Sequence, residues 1–164
     1  MNKRNLFFAA IAGLMIAAAC CFSQVATAQM PTFQMKLSNG TTFSSSQISK
    51  QKPLIIIYFA PDCEHCQILM TELFKKITDF KTAQILMVTF QPLTEVAWFE
   101  KRYLTARYSN IKVGTEVPVF FFKNKYKLEH TPFTALFSKN GKLIVSYKEQ
   151  TPVPDLIKRL KSLK

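Results

Sequence analysis

At 164 residues the chain has the length of one domain, and a hydrophobic share of 48% is enough to fill a core. Lys and Arg outnumber Asp and Glu by 22 to 10, a net charge of +12. The excess is spread along the chain with no basic recognition helix. That argues against nucleic acid as a partner and for a cationic surface open to anionic membranes or acidic proteins.

Residues 1–28 read as a secretory leader. Lys3 and Arg4 precede an apolar stretch from Leu6 to Phe22, and Ala26-Thr27-Ala28 is a small-x-small cleavage site. Cleavage after Ala28 leaves residues 29–164 as the mature domain. Two alternatives stay open. The apolar stretch approaches the length of a membrane anchor. A lipoprotein site at Cys20 or Cys21 is the other, although the bulky aliphatic residue expected upstream is missing. All three place the domain outside the cytoplasm, in a periplasm or an equivalent compartment.

The leader changes the cysteine count. Of four cysteines, Cys20 and Cys21 lie in the apolar stretch, so the mature chain holds only Cys63 and Cys66. A disulfide-stapled scaffold needs more bridges than that. A bridge across two residues closes a very small loop and stabilises little, so the value of the pair is chemical. Without Lys3 and Arg4, 20 basic residues face 10 acidic ones, leaving a net +10. Mild basic clusters stand at Lys123, Lys125 and Lys127 and at Lys158-Arg159.

Phe33 to Leu37 alternates as a strand. Asn39-Gly40 is a hairpin turn, and Thr41 to Ser44 returns. Leu54 to Ala60 is apolar without alternation, the pattern of a strand buried on both faces. A helix follows from about Cys63 to Phe80, with Asp62 as N-cap and Leu69, Leu73, Ile77 and Phe80 on one face. Its first turn carries the cysteines, where unpaired N–H groups and the helix dipole favour a thiolate, the reactive form.

Ala83 to Phe90 is another apolar strand, which makes a βαβ unit with a parallel pair. A second helix spans about Thr94 to Tyr108, with Trp98, Phe99 and Tyr103 on its aromatic side. Asn110 to Gly114 reads as loop and Val117 to Phe122 as a brief strand, its phenylalanines forming core and groove wall. Lys123 to His130 is polar and irregular. Pro132 to Ser138 is a strand opening on proline, Asn140-Gly141 a turn, and Leu143 to Tyr147 the returning strand. A closing helix carries Leu156, Ile157, Leu160 and Leu163 on one face.

A buried strand ending Phe-Ala-Pro-Asp-Cys-Glu-His-Cys, a βαβ unit, Thr131-Pro132 opening a later strand, a hairpin and a final helix resemble the thioredoxin fold. The leading hairpin, Phe33 to Phe43, and the helical segment between Phe90 and Pro132 are similar to the exported TlpA/ResA branch of thiol-disulfide oxidoreductases. The resemblance covers residues 31–164. It implies an α/β fold with a central mixed sheet flanked by helices and an added N-terminal β-hairpin. It further implies that Cys63 attacks, that Cys66 is buried and resolves, and that Pro132 is a cis-proline. Thr131 beside it would present its backbone to an extended substrate.

The departures concern tuning. Asp62 precedes the first cysteine, and Glu64-His65 lie between the pair. His65, when protonated, favours the thiolate and a more oxidising disulfide, while Glu64 and Asp62 push the other way. Ile57 stands where thioredoxins carry a buried acid. Near the next strand's end, where the TlpA/ResA acid belongs, stand Thr89, Gln91 and Pro92, with Glu95 the nearest carboxylate. His130, two residues before Pro132, reads as a loop histidine, with a place near the sulfurs as the alternative.

The leading expectation is an enzyme, a protein-disulfide oxidoreductase with no cofactor beyond a Cys63–Cys66 redox disulfide. It reduces or exchanges disulfides of exported proteins and needs a separate electron-donating or accepting protein, for which a membrane-bound partner is one candidate. The alternative is a Cu(I)- or Zn(II)-binding metallochaperone on the same fold. A thiol peroxidase is disfavoured, because Ala60 stands where peroxiredoxins need threonine.

Overall fold

The computed structural model of this chain describes residues 29–163. The expected leader, its cleavage site and its two cysteines lie outside the described residues. Seven strands form one mixed sheet: β1 (Gln34–Leu37), β2 (Thr42–Ser44), β3 (Leu54–Tyr58), β4 (Gln84–Thr89), β5 (Ile111–Val117), β6 (Phe133–Phe137) and β7 (Leu143–Lys148). Their spatial order is β2-β1-β5-β4-β3-β6-β7. The helices are α1 (Glu64–Lys75), α2 (Leu93–Tyr103), α3 (Phe121–Tyr126) and α4 (Val153–Lys161). None of these is long and apolar enough to cross a membrane.

β3 is flanked by β4, parallel, and β6, antiparallel, and every one of its residues is buried. This is why its sequence does not alternate: each face meets a layer of its own. Ile55 and Ile57 pack with Leu69, Met70 and Leu73 of α1 and with Leu156 and Leu160 of α4. Leu54, Ile56 and Tyr58 point the other way, to Phe33 and Met35 of the leading hairpin and Phe122 of α3. Each such side chain contributes about 1.5–3 kcal/mol when fully buried. The result is the expected thioredoxin-like fold, with the N-terminal hairpin β1–β2 joined antiparallel to β5.

Three local expectations are corrected. The first helix is shorter: Cys63, not Asp62, is its N-cap, and it leaves helical geometry at Lys76 (φ −115, ψ 21). The Lys76 N–H donates to Leu73 and Phe74 as the last turn tightens, and a separate 3₁₀ turn, Ile77–Phe80, delivers Phe80 to the core. The second helix stops at Tyr103, because Leu104 adopts left-handed geometry (φ 51) and its N–H closes onto the Glu100 carbonyl.

The third correction bears on the site. The stretch read as loop and then strand is strand and then helix. β5 runs from Ile111 to Val117, between β4 and β1, and the phenylalanines open α3. Gly114 disguises the strand pattern but serves it. A Cβ there would stand 2.6 Å from the Lys36 carbonyl oxygen, so only glycine lets β1 approach.

Candidate active site

β3 drives straight into the site. The two residues after it, Phe59 and Ala60, are buried as well, and Pro61 ends the run. The Cys63 N–H donates to the Ala60 carbonyl (3.1 Å), and this turn sets Cys63 at the head of α1. Cys63 is extended (φ −80, ψ 122), so its side chain folds back over the first turn, and Sγ accepts the Cys66 N–H at 3.3 Å. An N-cap is commonly filled by a hydroxyl or carboxylate oxygen; here a sulfur takes that place. Charge building on that sulfur meets the orphan N–H groups and the positive end of α1.

The two cysteines differ in access. Both thiols are free; Cys63 is half-buried and Cys66 is 1% exposed. Burial pushes the Cys66 thiol up to about 12; the neighbouring Cys63 adds to this, while contacts with Thr131 and the Ala60 backbone pull the other way. The Cys63 thiol donates to the Thr131 carbonyl at 3.4 Å. The Thr131–Pro132 peptide is cis, and Pro132 is buried. β6 starts beside the end of β3, with Phe133 paired to Tyr58, so the segment before it brings its backbone against the sulfur.

Asp62, Glu64 and His65 are exposed around this turn. His65 and His130 line one groove of about 710 Å³ together with Cys63 and Thr131. His130, read as a loop histidine, therefore stands on the same groove wall. Glu95 sits apart, in a shallow depression with Pro61, Asp62 and Trp98. Among the described residues no group of three or more His, Cys, Asp or Glu side chains is placed to hold a metal ion.

A buried acid does lie beneath the groove, on β5. Glu116 of β5 is 1% exposed. Its Oε1 accepts the Tyr58 hydroxyl (2.8 Å) and the Phe120 N–H (2.8 Å), and Oε2 accepts the Phe122 N–H (2.8 Å). Burial pushes the Glu116 carboxyl up and the three donors resist; burial, then the Glu116 contact, push the Tyr58 phenol up as well. The overlooked signal was Tyr58 itself. A tyrosine in a strand buried on both faces needs a buried partner for its hydroxyl. Phe90 and Lys123, which the sequence did not single out for the site, join Phe120, expected there as groove wall, along the groove's aromatic side.

No curated protein matches the chain by sequence. Solved structures do match in shape. The exposed lipoprotein thioredoxin Etrx1 of Streptococcus pneumoniae superposes with a TM-score of 0.61 at 20% identity, covering 81% of this chain and 100% of that one. A secreted Mycobacterium tuberculosis disulfide oxidoreductase homologous to Escherichia coli DsbE gives 0.65 at 13% identity, covering 80% and 96%. Peroxidoxin BcpB of M. tuberculosis gives 0.69 at 10% identity, covering 84% and 97%. At these identities the likeness is one of fold. By sequence, the thioredoxin-like domain profile matches residues 45–164, and the chain belongs to that family.

Proposed function

We propose that this chain is an exported thiol-disulfide oxidoreductase of the TlpA/ResA type, acting on disulfides of exported proteins through Cys63 and Cys66. One observation carries the reading: a half-exposed sulfur caps the helix against the Thr131 backbone, with a second sulfur buried behind it. The Cys63 thiolate attacks one sulfur of a substrate disulfide. The substrate S–S bond breaks, a Cys63–substrate disulfide forms, and the departing sulfur takes a proton. Cys66 then gives up its proton and attacks Cys63 Sγ, releasing the second substrate thiol and leaving Cys63–Cys66 oxidised. Burial of Cys66 keeps it protonated until the mixed disulfide brings an electrophile to it.

Thr131 and Pro132 present the backbone along which an extended substrate segment pairs. Asp62, Glu64 and His65 set the charge around the sulfur and hence the reduction potential. The reaction needs no cofactor beyond the dithiol, and a partner protein returns the electrons or accepts them. Export is supported by the leader pattern and by relatives of this fold described as exposed or secreted.

The test is insulin reduction with dithiothreitol as electron source. Cys63→Ser abolishes activity above background, and Cys66→Ser accumulates a mixed disulfide that mass spectrometry detects on Cys63. Full activity in Cys63→Ser would show that the attacking sulfur is misassigned.

A further inference from the structure

Val117, Val119 and Phe120 are apolar yet 37%, 52% and 43% exposed. Three such residues within four positions run against the tendency that buries them. Phe120 also adopts φ 65, a region a bulky side chain enters only with strain. The backbone is held there by Glu116, which takes the N–H groups of Phe120 and Phe122 on its two oxygens. A carboxylate is rarely buried, and this one is further tied to the Tyr58 hydroxyl. A buried acid, a buried tyrosine and a strained turn together keep one aromatic ring at the surface.

That ring is not isolated. Its centroid lies 5.4 Å from that of Phe90, and Lys123 Nζ stands 5.5 Å from it. Phe90 and Phe120 line the same groove as Cys63 and the Thr131 backbone. The groove is therefore continuous from the reacting sulfur to an open aromatic wall. Its occupant is a chain that reaches Cys63 through its own cysteine and runs along Thr131. In an extended chain side chains alternate faces, so the residue two positions from that cysteine shares its side.

We propose that Phe90 and Phe120 form a side-chain subsite selecting substrate segments with an aromatic or large aliphatic residue two positions from the reacting cysteine, and that Glu116 is the positioning residue for this wall. The proposal rests on the oxidoreductase reading and adds a substrate class to it. Apolar contact on the wall strengthens binding of the segment before sulfur exchange begins. It acts on the saturation constant, not on the chemical step.

The test uses two disulfide-linked dimers of a short blocked peptide, identical except for Phe or Gly two residues from the cysteine. Pre-reduced protein in excess reduces each in a single turnover, and the saturation constant and limiting rate are measured separately. Wild type favours the Phe peptide by about tenfold, within the range a hydrophobic pocket supplies, through the saturation constant. Phe120→Ala brings the ratio close to one, and Phe120→Leu retains most of it. Glu116→Gln, which sets an amide N–H against a backbone N–H, lowers the ratio through the saturation constant at an unchanged limiting rate. A wild-type ratio near one, or a ratio preserved in Phe120→Ala, overturns the subsite. An unchanged ratio in folded Glu116→Gln removes the positioning role alone. Failure to reduce either peptide overturns the oxidoreductase reading, and the subsite with it.

Discussion

At Cys63 two backbone groups from distant parts of the chain meet one sulfur: the Cys66 N–H from α1 and the Thr131 carbonyl from the start of β6. Cys66 lies three residues on yet in another environment, because one helical turn carries it into the core cluster of Ile55, Ile57 and Phe59 and out of water. A prediction follows for Cys66. In Cys63→Ser, which removes the smaller contribution of Cys63 and leaves the burial, iodoacetamide labels Cys66 slowly at pH 7 and the rate is still climbing at pH 10, as a thiol pushed up by burial requires. A plateau below pH 9 contradicts it. The cysteine pair was legible in the sequence because its spacing and its place after a buried strand are local. The acid was not. Glu116 is 58 residues from Tyr58, and a contact of that span leaves no periodicity to read.

Among elements, β3, β6, β7 and α4 stand close to where their patterns place them, since each carries an uninterrupted run or a clean amphipathic face. β5 escaped because Gly114 interrupts the run and Glu116 puts a carboxylate on a buried position. Both residues answer to other elements: Gly114 to the Lys36 carbonyl of β1, Glu116 to the turn before α3. The glycine is open to experiment. It is not at a positive φ, so Gly114→Ala tests space alone. The added methyl forces β1 away from β5 and destabilises the domain by about 1–3 kcal/mol, read from urea unfolding. A loss below about 0.5 kcal/mol would show that the hairpin shifts freely. Helix ends were the other imprecise feature. Lys76 and Leu104 carry no sequence mark of a stop, and what ends each helix is the need to turn Phe80 or the following segment back to the core.

For the whole molecule, ionisation of buried groups sets how stability depends on pH. Cys66 is raised from 9.0 to about 12, and Tyr126 and Tyr147 from 10.0 to about 12; Tyr58 is raised further. Each folded value lies above the unfolded one, so the contribution is complete below about pH 9 and is lost as pH rises through 12. The melting temperature of the reduced protein therefore falls steadily from pH 9 to 12. A flat profile by calorimetry contradicts this. On the acid side the groups oppose one another. Glu116 is raised by burial, so its contribution is present below the ordinary carboxylate range and lost above it. Asp79, beside Lys161, and Asp155, held by Tyr147 and Arg159, are lowered, so theirs are present above that range and lost as pH falls.

Taken alone, the sequence determined the family of folds, the place of the cysteine pair and the order of the central elements, because apolar runs, turn dipeptides and Cys-x-x-Cys act over one or two turns of chain. Only the tertiary structure decided which backbone faces the sulfur, which acid is buried and which aromatic rings stand open beside Cys63. The Cys63–Thr131 contact spans 68 residues and the Tyr58–Glu116 contact 58, and both exist only once β5 slots between β4 and β1 and the Thr131 segment reaches α1. Burial energy selects such contacts from the assembled surface, and no short stretch of sequence carries them.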